Sequence, residues 1–337
     1  MTDTRTRSVF GMCALSVVLL AGCAEREVIL PGKREPVTAV LSQEAAAEET
    51  AAEAVSEAAR TIQLPAQVAN ADAPQGTGTP DFRTDHPQLG TALTQVFAVD
   101  IGAGDSRKHR IVADPVVAGG RIFTLDSETL VSAVSTSGAV LWQRDVLPDG
   151  AESGDATGGG LAVDGDVLYV STGFGAVSAL EASTGRMIWT QDLEATGSGI
   201  DKSSGRVEWQ IAAALSQTNV LGAPAPIVTD GLTVFSFGSG ELQAVFRQGG
   251  LRRWDASVLG ERKGRALSKI DDVTGHPIAA DGFVYAGNQS GRTVAVSAAS
   301  GARLWTANEG AIATVLPVGG SVFLVSDRNE LLRLSAE

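Results

Sequence analysis

Asp164-Gly165, Val167-Leu168-Tyr169-Val170, Ala176-Val177-Ser178-Ala179-Leu180 and Ala182-Ser183-Thr184-Gly185-Arg186-Met187-Ile188-Trp189 follow one another along the chain, and this stretch decides the fold. It reads as a tight turn, two short apolar strands, and a small-residue turn that ends in Gly-x-x-x-Trp. The same grammar closes at Trp142, Trp254 and Trp305, and most spacings between successive units are 45 to 51 residues. A repeat of that length built from short strands specifies an all-β propeller in which each unit is one four-stranded blade.

Working outward, Gln95-Val96-Phe97-Ala98-Val99-Asp100-Ile101 resembles the Trp-bearing strand of later units, with Phe97 in the Trp slot 45 residues before Trp142. A propeller that opens with the last strand of a blade closes by adding strands from its C-terminus, which removes the sheet edges. Residues 95–337 are therefore expected to form the propeller. Two places break the period. Trp189 and Trp209 are only 20 residues apart, so about 28 residues, the first two strands of one blade, are missing there. At the end of the chain, Gly319 to Val325 and Leu331 to Leu334 supply two strands with no Trp strand after them. The expectation is a shortened copy of a larger propeller; the alternative is a compact five- or six-bladed ring.

The N-terminus carries a different signal. Arg5 and Arg7 precede an apolar run from Val9 to Leu20, followed by Leu20-Ala21-Gly22-Cys23. That order fits a lipoprotein signal over residues 1–22 with Cys23 as the lipid-bearing first residue of the mature chain. A dozen apolar residues are too few to span a bilayer. Cys13 is the only other cysteine, so the mature chain has no disulfide and no cysteine nucleophile. Ala24 after the anchor favours the outer membrane, on its periplasmic face. Residues 23–94 read as the lipidated N-terminus and a flexible tether: Glu44 to Arg60 is Ala/Glu-rich, and Ala71 to Pro87 is rich in Pro, Gly, Asp and Thr. Such composition buries too little apolar surface to offset its ordering entropy, and as a coil it would span about 50 Å.

With 26 Lys and Arg against 39 Asp and Glu, the net charge is −13 and the pI about 4.7. No basic stripe is present to neutralise phosphates, which argues against a nucleic-acid partner. The histidines, His86, His109 and His276, are not at metal-ligand spacing, so no metal site is expected. There is no Gly-x-Ser-x-Gly elbow and no phosphate loop, and Gly158-Gly159-Gly160 runs straight into an apolar strand as a blade connection would. The run Arg107-Lys108-His109-Arg110 is a solvated face or an anion site; Asp271-Asp272 is a solvated pair or a cation site. Trp142, Trp189, Trp209, Trp254 and Trp305 recur at one position per unit, which suits packing between blades better than stacking on a ligand. No catalytic residue and no cofactor is expected.

The Asp-Gly, Val-Tyr, Ala-x-x-x-Gly-x-x-x-Trp grammar resembles the pyrroloquinoline-quinone-type repeat. Together with the lipoprotein box, the tether, Ala223-Pro224-Ala225-Pro226, Gly287 to Ala295 and Pro317 to Leu324, the chain resembles the BamB family from the signal to Glu337. The resemblance implies an eight-bladed, non-enzymatic lipoprotein of the β-barrel assembly (BAM) complex. Such a protein would bind the POTRA region of BamA beside other BAM components and assist the insertion of outer-membrane protein clients. It places partner contacts in Thr218-Asn219-Val220-Leu221 and Ile270-Asp271-Asp272-Val273-Thr274, with Val220, Leu221, Asp271 and Asp272 as contact residues. Leu221 stands where the family has an arginine, and Thr274 where it has an acidic residue. Two other classes use similar blades: a periplasmic quinoprotein dehydrogenase, which typically adds an adjacent-cysteine disulfide that this chain lacks, and a propeller that binds envelope polysaccharide.

Overall fold

The computed structural model describes residues 61–76, 80, 86–193, 197–212, 224–260, 270 and 272–337. The expected signal sequence, Cys23 and the Ala/Glu tract lie outside these residues. The described residues contain strands and no helix, and the compact unit runs from Ile62 to Glu337.

Blade 2 shows how the local sequence makes a blade. It comprises β5 (Gly159–Asp164), β6 (Val167–Thr172), β7 (Ala176–Glu181) and β8 (Met187–Asp192), paired antiparallel in chain order. Asp164 pairs with Val167 across the two-residue turn Gly165-Asp166. Gly165 has φ of 60°, the positive value that such hairpin turns require. In β6, Leu168 and Val170 are buried while Val167 and Tyr169 are half-buried, the period-two pattern of a strand. The fourth strand is the outermost, and burial in it drops accordingly.

Blade 1 repeats this with β1 (Val116–Ala118), β2 (Arg121–Leu125), β3 (Leu130–Ser135) and β4 (Val140–Asp145). Blade 3 is a half-blade among the described residues: β9 (Gly197–Ile200) pairs there only with β10 (Val207–Ile211), so the strands missing from the repeat are the first and second, as the spacing predicts. Blade 4 is β11 (Ile227–Val228), β12 (Leu232–Ser236), β13 (Glu241–Phe246) and β14 (Arg252–Ser257). Blade 5 is β15 (Ile278–Ala280), β16 (Phe283–Asn288), β17 (Arg292–Ser297) and β18 (Arg303–Ala307). Blade 6 has β19 (Leu316–Val318), β20 (Ser321–Val325) and β21 (Leu331–Ser335). The fold is a β-propeller of these sheets.

One contact is repeated at every joint. The indole N–H of Trp142 donates to Ala182 O at 3.1 Å, Trp189 to Lys202 O at 3.0 Å, Trp209 to Arg247 O at 3.0 Å, Trp254 to Ala298 O at 2.9 Å and Trp305 to Ala336 O at 2.9 Å. Each acceptor belongs to the next blade, at or beside the end of its third strand. At four of these five joints the indole also lies against the turn glycine of that blade, Gly185, Gly205, Gly250 or Gly301: a Cβ on Gly185 would sit 2.5 Å from the Trp142 ring, and one on Gly301 would sit 2.8 Å from Trp254. Across its own blade, each of Trp142, Trp189, Trp254 and Trp305 faces an alanine of the third strand. Small residues on both sides let the large ring fill the joint, and its polar edge is satisfied.

The half-blade divides the interior. One core cluster joins blades 1 and 2, a second joins blades 4 to 6, and a small aromatic cluster of Phe235, Phe237 and Val245 with Trp209 and Ile211 sits beside the half-blade. Without its first two strands, blade 3 has no inner residues to join the larger clusters.

Three sequence expectations change. Residues 95–101 form no strand, because a fourth strand needs the third strand of a preceding blade as its ladder, and none lies beside it among the described residues. Phe97 still occupies the Trp slot: a Cβ on Gly138 would lie 2.7 Å from its ring. The last blade has three strands rather than two, since Leu316–Val318 pairs with Ser321–Phe323. Finally, part of the expected tether is docked. Ala73 pairs with Val117 and Gln75 with Ala162, because backbone hydrogen bonds to strand edges need no apolar side chains.

Candidate docking face

In an antiparallel blade, the connection from one blade's fourth strand enters at the start of the next blade's first strand. These connections therefore gather on one face, opposite the turns that join first and second strands. The segments with the implied partner contacts are two successive connections of this kind, from β10 to β11 and from β14 to β15. Pro226 and Pro277 immediately precede the inner strands, where a missing N–H costs no ladder bond and the residue before each is held extended.

His276 ties this face together. Its Nδ1 accepts the Ala225 N–H at 2.8 Å, reaching across to the connection before blade 4. Its own N–H donates to Thr314 Oγ1 at 3.1 Å, in the connection before blade 6. Gly275 makes the approach feasible, since a Cβ there would lie 2.5 Å from the backbone of Ala313. Gln289 Nε2 donates to Thr274 Oγ1 at 3.4 Å from the turn between β16 and β17, which reaches the same face. Three connections are thus linked in series.

The imidazole must be neutral to accept the Ala225 N–H. Burial lowers its pKa below the ordinary 6.5, and the opposing pull of Asp114 is smaller. A folded pKa below the unfolded one means that the unfolded chain binds the proton first as pH falls. The contribution is therefore present above about pH 6.5 and is lost as pH drops through the folded value. We expect His276→Ala to cost about 1–3 kcal/mol at pH 7.5, the penalty of an orphaned N–H. His276→Asn should retain most of it by placing Oδ1 near the Nδ1 position. Urea unfolding at pH 7.5 and pH 5.5 checks both: the wild type should lose stability towards pH 5.5, and His276→Ala should lose less.

Of the implied contact residues, Val220, Leu221 and Asp271 lie outside the described residues. Asp272 is 4% exposed, so the expectation of a surface carboxylate there is corrected. The main chain folds it inward beside fully buried Val273, and a charge reversal at Asp272 would perturb folding before it perturbed docking. His109 Nδ1 lies 3.5 Å from Glu128 and Arg110 forms an ion pair with Asp105 at 3.3 Å, so two members of the basic run face carboxylates of their own chain. His86 shares a hydrogen bond with Pro65 O at 2.8 Å. Gly158 to Gly160 form the entry to blade 2, as expected of a connection. Among the described residues, no group of three or more His, Cys, Asp or Glu side chains gathers in a metal-binding arrangement. Sequence reasoning missed His276 as the tie; its only local signal is Gly275-His276-Pro277 at the mouth of an inner strand.

Comparison with known proteins agrees with the fold. A family model described as outer membrane protein assembly factor BamB matches residues 126–337. The chain is 22% identical over 271 residues to the BamB of Yersinia pestis, covering 72% of this chain and 68% of the relative. It is 21% identical over 274 residues to that of Escherichia coli K12, with coverage of 72% and 68%. It is 23% identical over 261 residues to that of Moranella endobia, covering 70% of this chain and 66% of the relative. The chain thus spans about two thirds of the length of these relatives. The crystal structure of BamB from Moraxella catarrhalis superposes with a TM-score of 0.55 at 20% identity, over 66% of this chain and 72% of that one, and shares the fold. With a matched region that runs from the first blade to the last described residue, the chain belongs to the outer membrane protein assembly factor BamB family.

Proposed function

We propose that this protein is a non-enzymatic, lipid-anchored scaffold of the BAM complex. It is held to the periplasmic face of the outer membrane through Cys23 and docks the BamA POTRA region on the face built by the connections before blades 4 and 5. There it would assist the assembly and insertion of β-barrel clients. The observation that supports this reading is the His276 tie, because it joins the end of one connection to the end of the next: Ala225 N lies 2.8 Å from His276 Nδ1. Connections whose ends are already joined lose less entropy on binding than connections with free ends. Interface energy concentrates in a few residues, and Leu221 is an apolar side chain in the first loop.

We expect Leu221→Glu to weaken binding to the BamA POTRA region at least tenfold, about 1.4 kcal/mol. Titration against the isolated POTRA region measures the affinity, and thermal melting confirms an intact fold. Wild-type affinity in the variant would remove this loop from the interface. His276→Ala, read in the same titration, should weaken binding through loop placement, and His276→Asn should restore it.

A further inference from the structure

The inner edges of blades 1 and 2 are already occupied by a peptide, and the peptide is the chain's own. Ala73 and Val117 exchange both backbone hydrogen bonds, each 2.8 Å, the closed pair of an antiparallel ladder. On its other side the same segment meets blade 2: Val163 N–H donates to Pro74 O at 2.8 Å, and Gln75 bridges Ala162. Asp72 Oδ1 accepts the Gly119 N–H at 3.0 Å, fixing the segment's start at the turn after β1. Residues 72–75 therefore form a short extended strand between β1 and β5, antiparallel to both.

Two properties of this slot define what it accepts. The bonds described here go to backbone atoms of the blades, so the slot reads an extended main chain rather than a side-chain sequence. The space is narrow: a Cβ on Gly76 would lie 2.9 Å from Asp114 Oδ2, and the occupant reads Asp72-Ala73-Pro74-Gln75-Gly76. The residues that line it, Val117 and Ala162, pair on their other sides with β2 and β6, and their inner edges would otherwise be open. A few backbone hydrogen bonds with little apolar burial barely offset the cost of ordering the segment. It stays because covalent attachment gives it a high effective concentration.

We propose that the slot between β1 and β5 is a peptide-binding site for extended, small-residue segments of other polypeptides, and that residues 72–76 occupy it in cis as a displaceable ligand. The ladder of the slot lies along β1 and β5, and only its far end, at Asp114, approaches the His276 tie. The test below reads peptide binding and amide exchange rather than BamA affinity, so its failure is distinguishable from a failure of BamA docking.

The test uses the full chain and a fluorescein-labelled peptide with the sequence of residues 70–76. Ala73→Pro removes the N–H that bonds Val117 O while leaving every blade residue in place. We expect the peptide to bind Ala73→Pro at least tenfold more tightly than wild type. Amide exchange at Val117 and Val163 should be at least tenfold faster in the variant and should slow again when peptide is added. Asp72→Ala, a milder change, should speed exchange at Gly119 without lowering the melting temperature, and it decides the matter if Ala73→Pro folds poorly. Equal peptide binding by variant and wild type overturns the proposal. So does binding that leaves Val117 and Val163 exchange unchanged, or Gly119 exchange unaltered by Asp72→Ala.

Discussion

Trp254→Ala will lower the unfolding free energy by about 3–5 kcal/mol, the range for truncating a large aromatic in a packed interior. Trp254 is 6% exposed and belongs to the core that joins blades 4 to 6. Its ring lies on Gly301 of blade 5, and its N–H meets Ala298 O. Truncation would open a cavity between two blades and orphan that carbonyl, and neither Gly301 nor Ala244 can expand to fill the space. Trp189 makes the same contacts but is half-buried. Because the loss scales with area removed from water, Trp189→Ala should cost about half as much. Trp254→Phe keeps most of the ring and should cost about 1–2 kcal/mol, mainly the unpaired carbonyl. Denaturant unfolding reads all three as shifts in midpoint at constant slope. A Trp254→Ala chain as stable as wild type would overturn the packing role and favour ligand stacking.

Cys23→Ala is expected to abolish lipid anchoring. The apolar run from Val9 to Leu20 is too short to span, so retention would rest on acyl chains carried by the single cysteine of the mature chain. Two chains give stable anchoring where one gives marginal, reversible binding, and removing their attachment point leaves neither. The variant should accumulate with its signal uncleaved and should take up no radioactive palmitate. A chain that is still processed and labelled would place the anchor elsewhere. The blades are remote in sequence from Cys23, so the melting temperature of the purified variant should match that of the wild type.

What the sequence determined by itself is what repeats locally. A Gly-x-x-x-Trp spacing, a tight turn at a glycine such as Gly165 and alternating Val and Leu act within a few residues of one another, so each blade is readable from its own segment. The contraction from Trp189 to Trp209 reveals the half-blade for the same reason: a period broken by about 28 residues leaves room for only two strands. Phe97 is legible as a Trp substitute because its distance to the next unit is preserved and Gly138 waits for its ring.

Only the tertiary structure decided which segments meet. Residues 95–101 have the composition of a strand, yet strand formation depends on a neighbour's free edge, and no position in the segment encodes whether that edge is present. Residues 72–75 have the composition of a coil and are nevertheless paired on two sides, because an edge bonds to any main chain brought beside it. Asp272 reads as a surface charge beside Asp271 and is turned inward by the course of its loop. His276 reads as an isolated histidine until the fold sets Ala225, 51 residues away, against its Nδ1. Side-chain chemistry and period are local properties; proximity across the blades belongs to the folded arrangement of the chain.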